Sequence, residues 1–343
     1  MGEVSTIGLD LAKHVFQVHG VDEEGNVIVR KQVRRSAVAK FFAELAPCTV
    51  GIEACSSAHY WARELSALGH TVRLMPPAYV KPYVKRGKND AADAEAICEA
   101  VMRPTMRFVP VKSAEQQANA MVYKVRELLV RQRTQLINAL RSHLAEMGVV
   151  AAKGVSHLDD LIAILRDPDD SRLPPPARPA LEELAQQIAA LEARIDPLEQ
   201  EIASQVRGSE AGRRLATVPG IGPIIAGALL AIVPDPAGFR SARHFASWLG
   251  FAPRQNSSGG KQRLGSISKQ GNRYLRSLLI LGAANVLRRR KKASQSAWLV
   301  ALRGRRPFRV VAVALAHKMA RIVWALMIKG ESYRAADPAA AQG

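Results

Sequence analysis

The sequence predicts an α/β N-terminal region followed by an all-α remainder, and three observations carry that prediction. Short apolar β-rich runs alternate with turns and short helices as far as Met75. Beyond Lys112 the apolar residues recur at helical spacing instead, and the charge is segregated between the two parts. With 343 residues the chain is long enough for two domains, each with its own core, and 48% hydrophobic residues exclude a disordered polymer. Aromatic residues, at 5%, are too sparse for a base-stacking sheet of the kind some RNA-binding domains use.

Residues 4–10, 15–21 and 27–33 read as three strands, the last two separated by the DEEGN turn at 22–26. Residues 36–45 read as a helix, 49–53 as a fourth strand and 58–68 as a helix closed by Gly69. Residues 71–75 read as a fifth strand, ended by Pro76 and Pro77. The order β-β-β-α-β-α-β followed by a helix matches a ribonuclease-H-like plan, an antiparallel hairpin layer running on into βαβ units. Further on, Val122, Val125, Leu129, Leu136, Leu140 and Leu144 mark one long helix. Leu181, Leu184, Ile188, Leu191, Ile195, Leu198 and Ile202 mark a second, with a 3,4 alternation that makes a heptad seam. A Pro-rich loop at 167–179 joins them, so the pair forms an antiparallel arm, an intramolecular hairpin or half of a dimeric coiled coil. These boundaries give an α/β domain at 1–112, a helical arm at 113–210, a basic and mainly helical domain at 211–332 and a tail at 333–343.

The formal net charge is +19. Residues 212–330 hold 22 Lys/Arg against the single acid Asp235, so that segment carries +21 and the rest of the chain −2. Charge concentrated in this way is a surface for polyanions rather than a general aid to solubility. Within it, Gly220-Ile221-Gly222 lies between two apolar helical stretches, the pattern of a helix-hairpin-helix whose turn offers backbone N–H groups to a phosphate. An ordinary Gly/Pro helix junction has the same pattern, and the surrounding charge favours the phosphate reading. Cys48, Cys55 and Cys98 form no CxxC pair and have no His at ligand spacing, which argues against zinc and disulfide frameworks. The first residues lack a basic n-region and an apolar h-region, and the apolar stretch 310–328 contains His317, Lys318 and Arg321. The expectation is therefore a cytoplasmic protein with no membrane partner.

Four acids stand where apolar or capping residues would ordinarily do. Asp10 ends the first strand (IGLDLAK) and Glu53 the fourth (VGIEACSS); Asp90 and Asp93 lie three apart in GKNDAADAEAI on a predicted helix. In the sheet plan above, strands one and four are neighbours, so the four carboxylates converge from three elements. Such a cluster raises its own pKa values unless cations neutralise it. Two Mg²⁺ ions (or Mn²⁺ in their place) about 4 Å apart would do so and would suit phosphodiester chemistry. Taken singly, each acid also suits a solvated surface or a helix cap, Asp90 most of all.

The second constellation is PRQNSSGGKQRLGSISKQGNRYLRSLL at 253–279. Ser257 and Ser258 precede Gly259 and Gly260, and Lys261, Arg263, Lys269, Arg273 and Arg276 follow. A hydroxyl on so small a loop can approach a phosphate, with guanidiniums to neutralise the transition state. The same residues would equally make a phosphate-binding turn without covalent chemistry. Arg288, Arg289 and Arg290, continued by Lys291 and Lys292, and Arg305 with Arg306, extend the basic surface.

Taken together, GLDLAK, GIEACSSAHYW, KNDAADAEAI, VPGIGPIIAGALL and NSSGGKQRLGSISKQGNRYLR resemble the DEDD-type transposases of bacterial insertion sequences. That group is described as recombinases guided by a bridge or seeker RNA, and it includes a DNA invertase. The resemblance runs over nearly the whole chain and is least distinctive in the helical middle. It implies a RuvC-like N-terminal domain, a helical arm that pairs protomers and a C-terminal domain with a nucleophilic serine. Matched by motif, the acids are Asp10, Glu53, Asp90 and Asp93, and the serine is Ser258, with Ser257 as the alternative. It also implies a phosphoserine intermediate, donor and target double-stranded DNA, a structured non-coding guide RNA, and a homodimer or homotetramer. A Holliday-junction nuclease, or an invertase working without a guide RNA, is the alternative activity.

Overall fold

The computed structural model describes residues 3–85, 89–152, 154, 157–233, 235–289 and 296–334. The chain divides into two compact units, residues 1–118 and 119–343.

The first unit is built on a five-stranded sheet of order β3-β2-β1-β4-β5. β1 (Thr6–Asp10), β2 (Val15–Val21) and β3 (Val27–Arg34) form an antiparallel meander, and β4 (Thr49–Glu53) and β5 (Thr71–Met75) add parallel to β1. The strands follow the predicted runs because their apolar residues alternate. Ile7, Leu9, Phe16, Val18, Val50, Ile52 and Leu74 point to one face. There they are covered by α1 (Val38–Ala43) and α2 (Ala58–Ala67), with Phe42, Trp61 and Leu65 completing that core. The intervening residues Gly8 and Gly51 face the opposite side, where, after the short α3 (Pro77–Val80), α4 (Asp90–Val101) crosses β1, β2 and β4.

Gly8 is required for that crossing. A Cβ there would run into the Ala94 carbonyl and the Cys98 amide of α4. Gly8→Ala is therefore expected to destabilise the chain by about 1–3 kcal/mol, the usual range for overpacking a tight core. It would also push the middle of α4, at Ala94 and Cys98, away from the sheet. Chemical denaturation measures the first effect, and an unchanged midpoint would contradict the close packing described here.

Among its described residues the second unit is helical apart from one small hairpin and the connecting loops. It opens with α5 (Ala114–Glu146), whose first turns lie before the unit boundary, and continues with α6 (Leu158–Arg166) and α7 (Ala177–Gly208). α5 and α7 run antiparallel: Arg126 pairs with Glu199, and Arg133 lies 3.6 Å from Glu192. Ile137, Leu140 and Leu144 of α5 pack with Leu181, Ala185 and Ile188 of α7, and Leu158, Leu161 and Leu165 of α6 close that cluster. Of the heptad seam, Leu181, Ile188, Ile195 and Ile202 are buried, while Leu184, Leu191 and Leu198 remain half-exposed. The structure thus places an intramolecular hairpin where the sequence left three arrangements open, and the buried stripe of the seam is satisfied within one chain.

α8 (Glu210–Ala216), the 220–222 turn and α9 (Pro223–Ile232) come next, then α10 (Ala242–Trp248) and the hairpin of β6 (Pro253–Gln255) with β7 (Leu264–Ile267). α11 (Arg273–Arg289), α12 (Ala297–Arg305) and α13 (Phe308–Lys329) complete the unit. α13 is long and apolar enough to cross a membrane by length and composition alone. One face of it is buried, through Val311, Ala312, Ala316, Met319, Ala320, Val323 and Leu326, chiefly against α10 and α11.

Candidate active site and nucleic-acid interface

Leu9 pairs with Ile52 across the parallel β1/β4 ladder, so the next residues, Asp10 and Glu53, lie side by side at the carboxyl edge of the sheet. Strand alternation turns both away from the α1/α2 core, onto the face that α4 covers. α4 begins at the same edge. Asn89 caps it, its side chain accepting from the Ala91 N–H at 3.0 Å, so the carboxylate of Asp90 is not spent on the cap. Asp10, Asp90 and Asp93 can bring one oxygen each within 4.8 Å of the others. Glu53 lies outside that group but is near enough to act on Asp10 electrostatically.

Among the described residues none of the four acids forms an ion pair. The pKa of Asp10 is accordingly pushed up from 3.8 to about 6, first by burial and then by Asp93, Asp90 and Glu53; the Leu11 backbone N–H pulls weakly the other way. Burial, and secondarily Asp93, also raises Glu53. An all-carboxylate set, half-buried at Asp10 and Asp93 and exposed at Asp90, crowded and without ion-paired side chains among the described residues, has the donor chemistry that hard divalent cations take.

In the second unit, Ser257 and Ser258 sit at the tip of the β6/β7 hairpin. The hydroxyl of Ser257 accepts from the Arg263 backbone N–H at 3.1 Å, and the Ser258 carbonyl accepts from the Lys261 N–H at 3.1 Å. Gly259 and Gly260 both have left-handed backbones, φ 54° and 74°, which lets the chain reverse immediately after Ser258. Ser257 is thus a clasp of the turn, a role no spacing in the sequence announces. The Ser258 hydroxyl, exposed, has no hydrogen bond among the described residues.

Lys261, Arg263, Lys269 and Arg273 are exposed around this hairpin. Arg276 is not: instead of facing phosphate, as its place in the motif suggests, it is turned inward. It is buried, and its Nη1 donates at 2.8 Å to both the Leu249 and Gln270 carbonyls, tying the loop after α10 to α11. Arg276→Gln is therefore expected to lower the melting temperature without changing the salt dependence of DNA binding. Arg273→Gln should leave melting unchanged and reduce the slope of log K against log[salt] by about 1. The reverse pattern would restore the original assignment.

Arg288 and Arg289 are exposed at the end of α11, as are Arg305 and Arg306 at the end of α12. Arg290, Lys291 and Lys292 lie outside the described residues, as do residues 335–343 of the tail. Gly220, at φ 88°, is packed so closely on α11 that a Cβ would meet the Gly282 carbonyl at 2.8 Å. Close packing therefore accounts for Gly220, while Gly222 is exposed as the N-cap of α9.

A model described as "Transposase IS116/IS110/IS902 family" matches residues 212–298. A second transposase model, of the DEDD type associated with IS110, matches residues 7–149. The chain is 54% identical to a "Probable family 20 transposase" of Pseudomonas aeruginosa, over 96% of this chain and 99% of that protein. It is 38% identical to the "Transposase for insertion sequence element IS1111A" of Coxiella burnetii, over 97% of this chain and 92% of that one. A "Pilin gene-inverting protein" of Moraxella lacunata is 42% identical over a shorter stretch, 21% of this chain and 23% of that protein.

Proposed function

Because this chain belongs to the IS116/IS110/IS902 family of insertion-sequence transposases, which act on DNA by strand transfer, we propose that it cuts and rejoins DNA through a phosphoserine intermediate at a site completed by the Asp10 cluster. The observation that carries this reading is the convergence of Asp10, Asp90 and Asp93, with Glu53 beside them, at one edge of a sheet of order β3-β2-β1-β4-β5. That strand order and those acids support a ribonuclease-H-like, RuvC-like domain at residues 1–112. The turn between α8 and α9 supports a helix-hairpin-helix in a serine domain at 211–332, joined through a helical arm at 113–210.

Mg²⁺, when bound by the four acids, would supply activation of an attacking oxygen and stabilisation of a leaving one. The chain's own residues do the rest. The Ser258 oxygen attacks the scissile phosphorus, forming a P–O bond to serine as the bond to the departing deoxyribose oxygen breaks. The serine proton passes, directly or through water, to that departing oxygen. A deoxyribose hydroxyl of the recipient strand then displaces the serine, which takes back a proton. Lys261, Arg263, Lys269 and Arg273 neutralise the phosphate through both steps. The resemblance to DEDD-type transposases implies a site shared between protomers of a homodimer or homotetramer. The +21 segment, more cationic than one duplex track needs, suits a structured non-coding RNA that selects donor and target by base pairing.

The test is to express the chain with its native flanking DNA, sequence the RNA that co-purifies, and denature a reaction with DNA in detergent to trap protein–DNA adducts. One discrete RNA from the element's ends, and an adduct that requires Mg²⁺, are expected. Heterogeneous nucleic acid and no adduct would leave a metal-dependent junction nuclease in its place. The likeness to a gene-inverting protein favours inversion as a second reading, distinguished by recombination products that retain all of the intervening DNA in reversed order.

A further inference from the structure

A second feature of the sheet's carboxyl edge lies on the face opposite the acids. β1, β3, β4 and β5 all run toward this edge, so it carries the β1–β2 turn, the end of β3 and the N-terminal end of α2. His14, Arg34, Arg35, Ser36, Tyr60 and Trp61 there line an open groove of about 690 Å³, within the size range of ligand clefts. No carboxylate lines it, and neither Arg34 nor Arg35 forms an ion pair among the described residues. Arg35 is held in place by rings: its guanidinium carbon lies 5.6 Å from the Phe16 centroid and 5.3 Å from that of Trp61, which themselves meet edge to face at 5.1 Å. Tyr60, in edge contact with Trp61, is 45% exposed although it belongs to a helix whose other aromatic residue is in the core. The buried indole N–H of Trp61 has no acceptor among the described residues. The groove therefore combines a cation held by rings, a second guanidinium with no ion pair among the described residues, and an exposed aromatic ring.

We infer that this groove binds an unpaired nucleotide of a strand lying over the sheet edge, its base against Tyr60 and its phosphate between Arg34 and Arg35. The proposal rests on the reading above to the extent that the acids, through a bound divalent cation, would hold the neighbouring phosphate of that strand. Each part of a nucleotide finds its complement: the base a π-face, the phosphate two guanidiniums and the N-terminal end of α2. An acidic peptide would use the arginines but would leave Tyr60 without a role. The low overall aromatic content had pointed away from stacking, yet Phe16, Tyr60 and Trp61 meet at this one place. The nucleotide would keep the strand single and in register as it crosses to the acids.

The test uses the full-length chain in EDTA with single-stranded oligonucleotides, DNA and RNA in parallel, each carrying one 5-iodouracil. Irradiation and peptide mapping then locate the contact. A crosslink at Tyr60 is expected, retained in Tyr60→Phe, lost in Tyr60→Ala, and reduced about tenfold in Arg34→Gln at fixed oligonucleotide concentration. Circular dichroism establishes that the exposed-residue variants fold. Crosslinking of DNA is expected, since the strand is the one that runs on to the acids, and crosslinking of RNA alone would overturn the proposal. Crosslinks confined to residues 119–334, or a Tyr60 crosslink unaffected by Arg34→Gln, would overturn the proposal. Because the readout needs no cleavage, a missing crosslink beside normal Mg²⁺-dependent cleavage defeats the groove alone. A crosslink in a chain that never cleaves defeats the catalytic reading alone.

Discussion

Asp10→Asn is expected to abolish DNA strand cleavage while making the metal-free chain more stable at neutral pH. The two effects share one cause. Asp10 sits among three other acids, half-buried, with its pKa raised to about 6. Between about pH 4 and pH 6 the folded Asp10 still holds a proton that the unfolded chain has released. Stability without metal therefore falls as pH rises through that window, and the full penalty is present by pH 7. Asparagine keeps the shape and removes the charge, so the variant should melt higher than wild type at pH 7 in EDTA and about equally at pH 4. Divalent cation reverses the order, since it binds the ionised cluster and stabilises the wild type by mass action. Metal affinity should rise with pH through about 6 for the same reason. For the rate, removing a central charged ligand is expected to cost at least on the order of a hundredfold to a thousandfold. Melting curves in EDTA and in Mg²⁺, beside a cleavage assay, read all of this. If the variant cleaves at the wild-type rate, or gains as much stability from Mg²⁺ as the wild type, the cluster does not hold the metal.

Why this cluster was legible in the sequence, and other features were not, follows from how each is specified. The five strands could be placed because their alternation is local, and one face of each must be apolar wherever the sheet lands. Asp10 and Glu53 stood out because each ends such a strand with a charge where the core pattern had just run. The sequence leaves Asp90 as a candidate cap, and only the Asn89 side chain accepting from the Ala91 N–H shows which residue fills that role. Nothing local in the sequence separates a buried arginine from an exposed one: Arg273 and Arg276 share a helix turn, and only the carbonyls of Leu249 and Gln270 decide between them. α6 was missed because Leu158, Leu161 and Leu165 make only two turns, too short a repeat to stand out against the loop that follows. The hairpin around Ser258 has exposed strands with no apolar alternation, so its pairing register is visible only in space. The Arg35–Trp61 groove joins residues 26 apart on two elements, and no spacing rule connects them.

Ser258→Ala should eliminate the covalent protein–DNA adduct and strand joining, whereas Ser257→Ala should only slow them. The hairpin geometry makes the two neighbours unequal. Ser257 spends its hydroxyl accepting the Arg263 N–H, which holds the two arms of the tip together. Losing it exposes that N–H to water, a change of about 0.5–1.5 kcal/mol at an exposed site, and loosens the tip rather than removing a reacting atom. Ser258 has a hydroxyl free of such duty, followed by two left-handed glycines that keep side chains away from its far side. Its removal leaves no oxygen to take the phosphorus, so the adduct should fall to background, while affinity for DNA, carried by Lys261, Arg263, Lys269 and Arg273, should hardly move. The separation of binding from adduct formation is what tells a nucleophile from a phosphate clamp. If Ser258→Ala still forms the adduct and Ser257→Ala does not, the roles are exchanged. If the double variant still cleaves, the serines only grip phosphate, and the oxygen that attacks must be water positioned by the acid cluster.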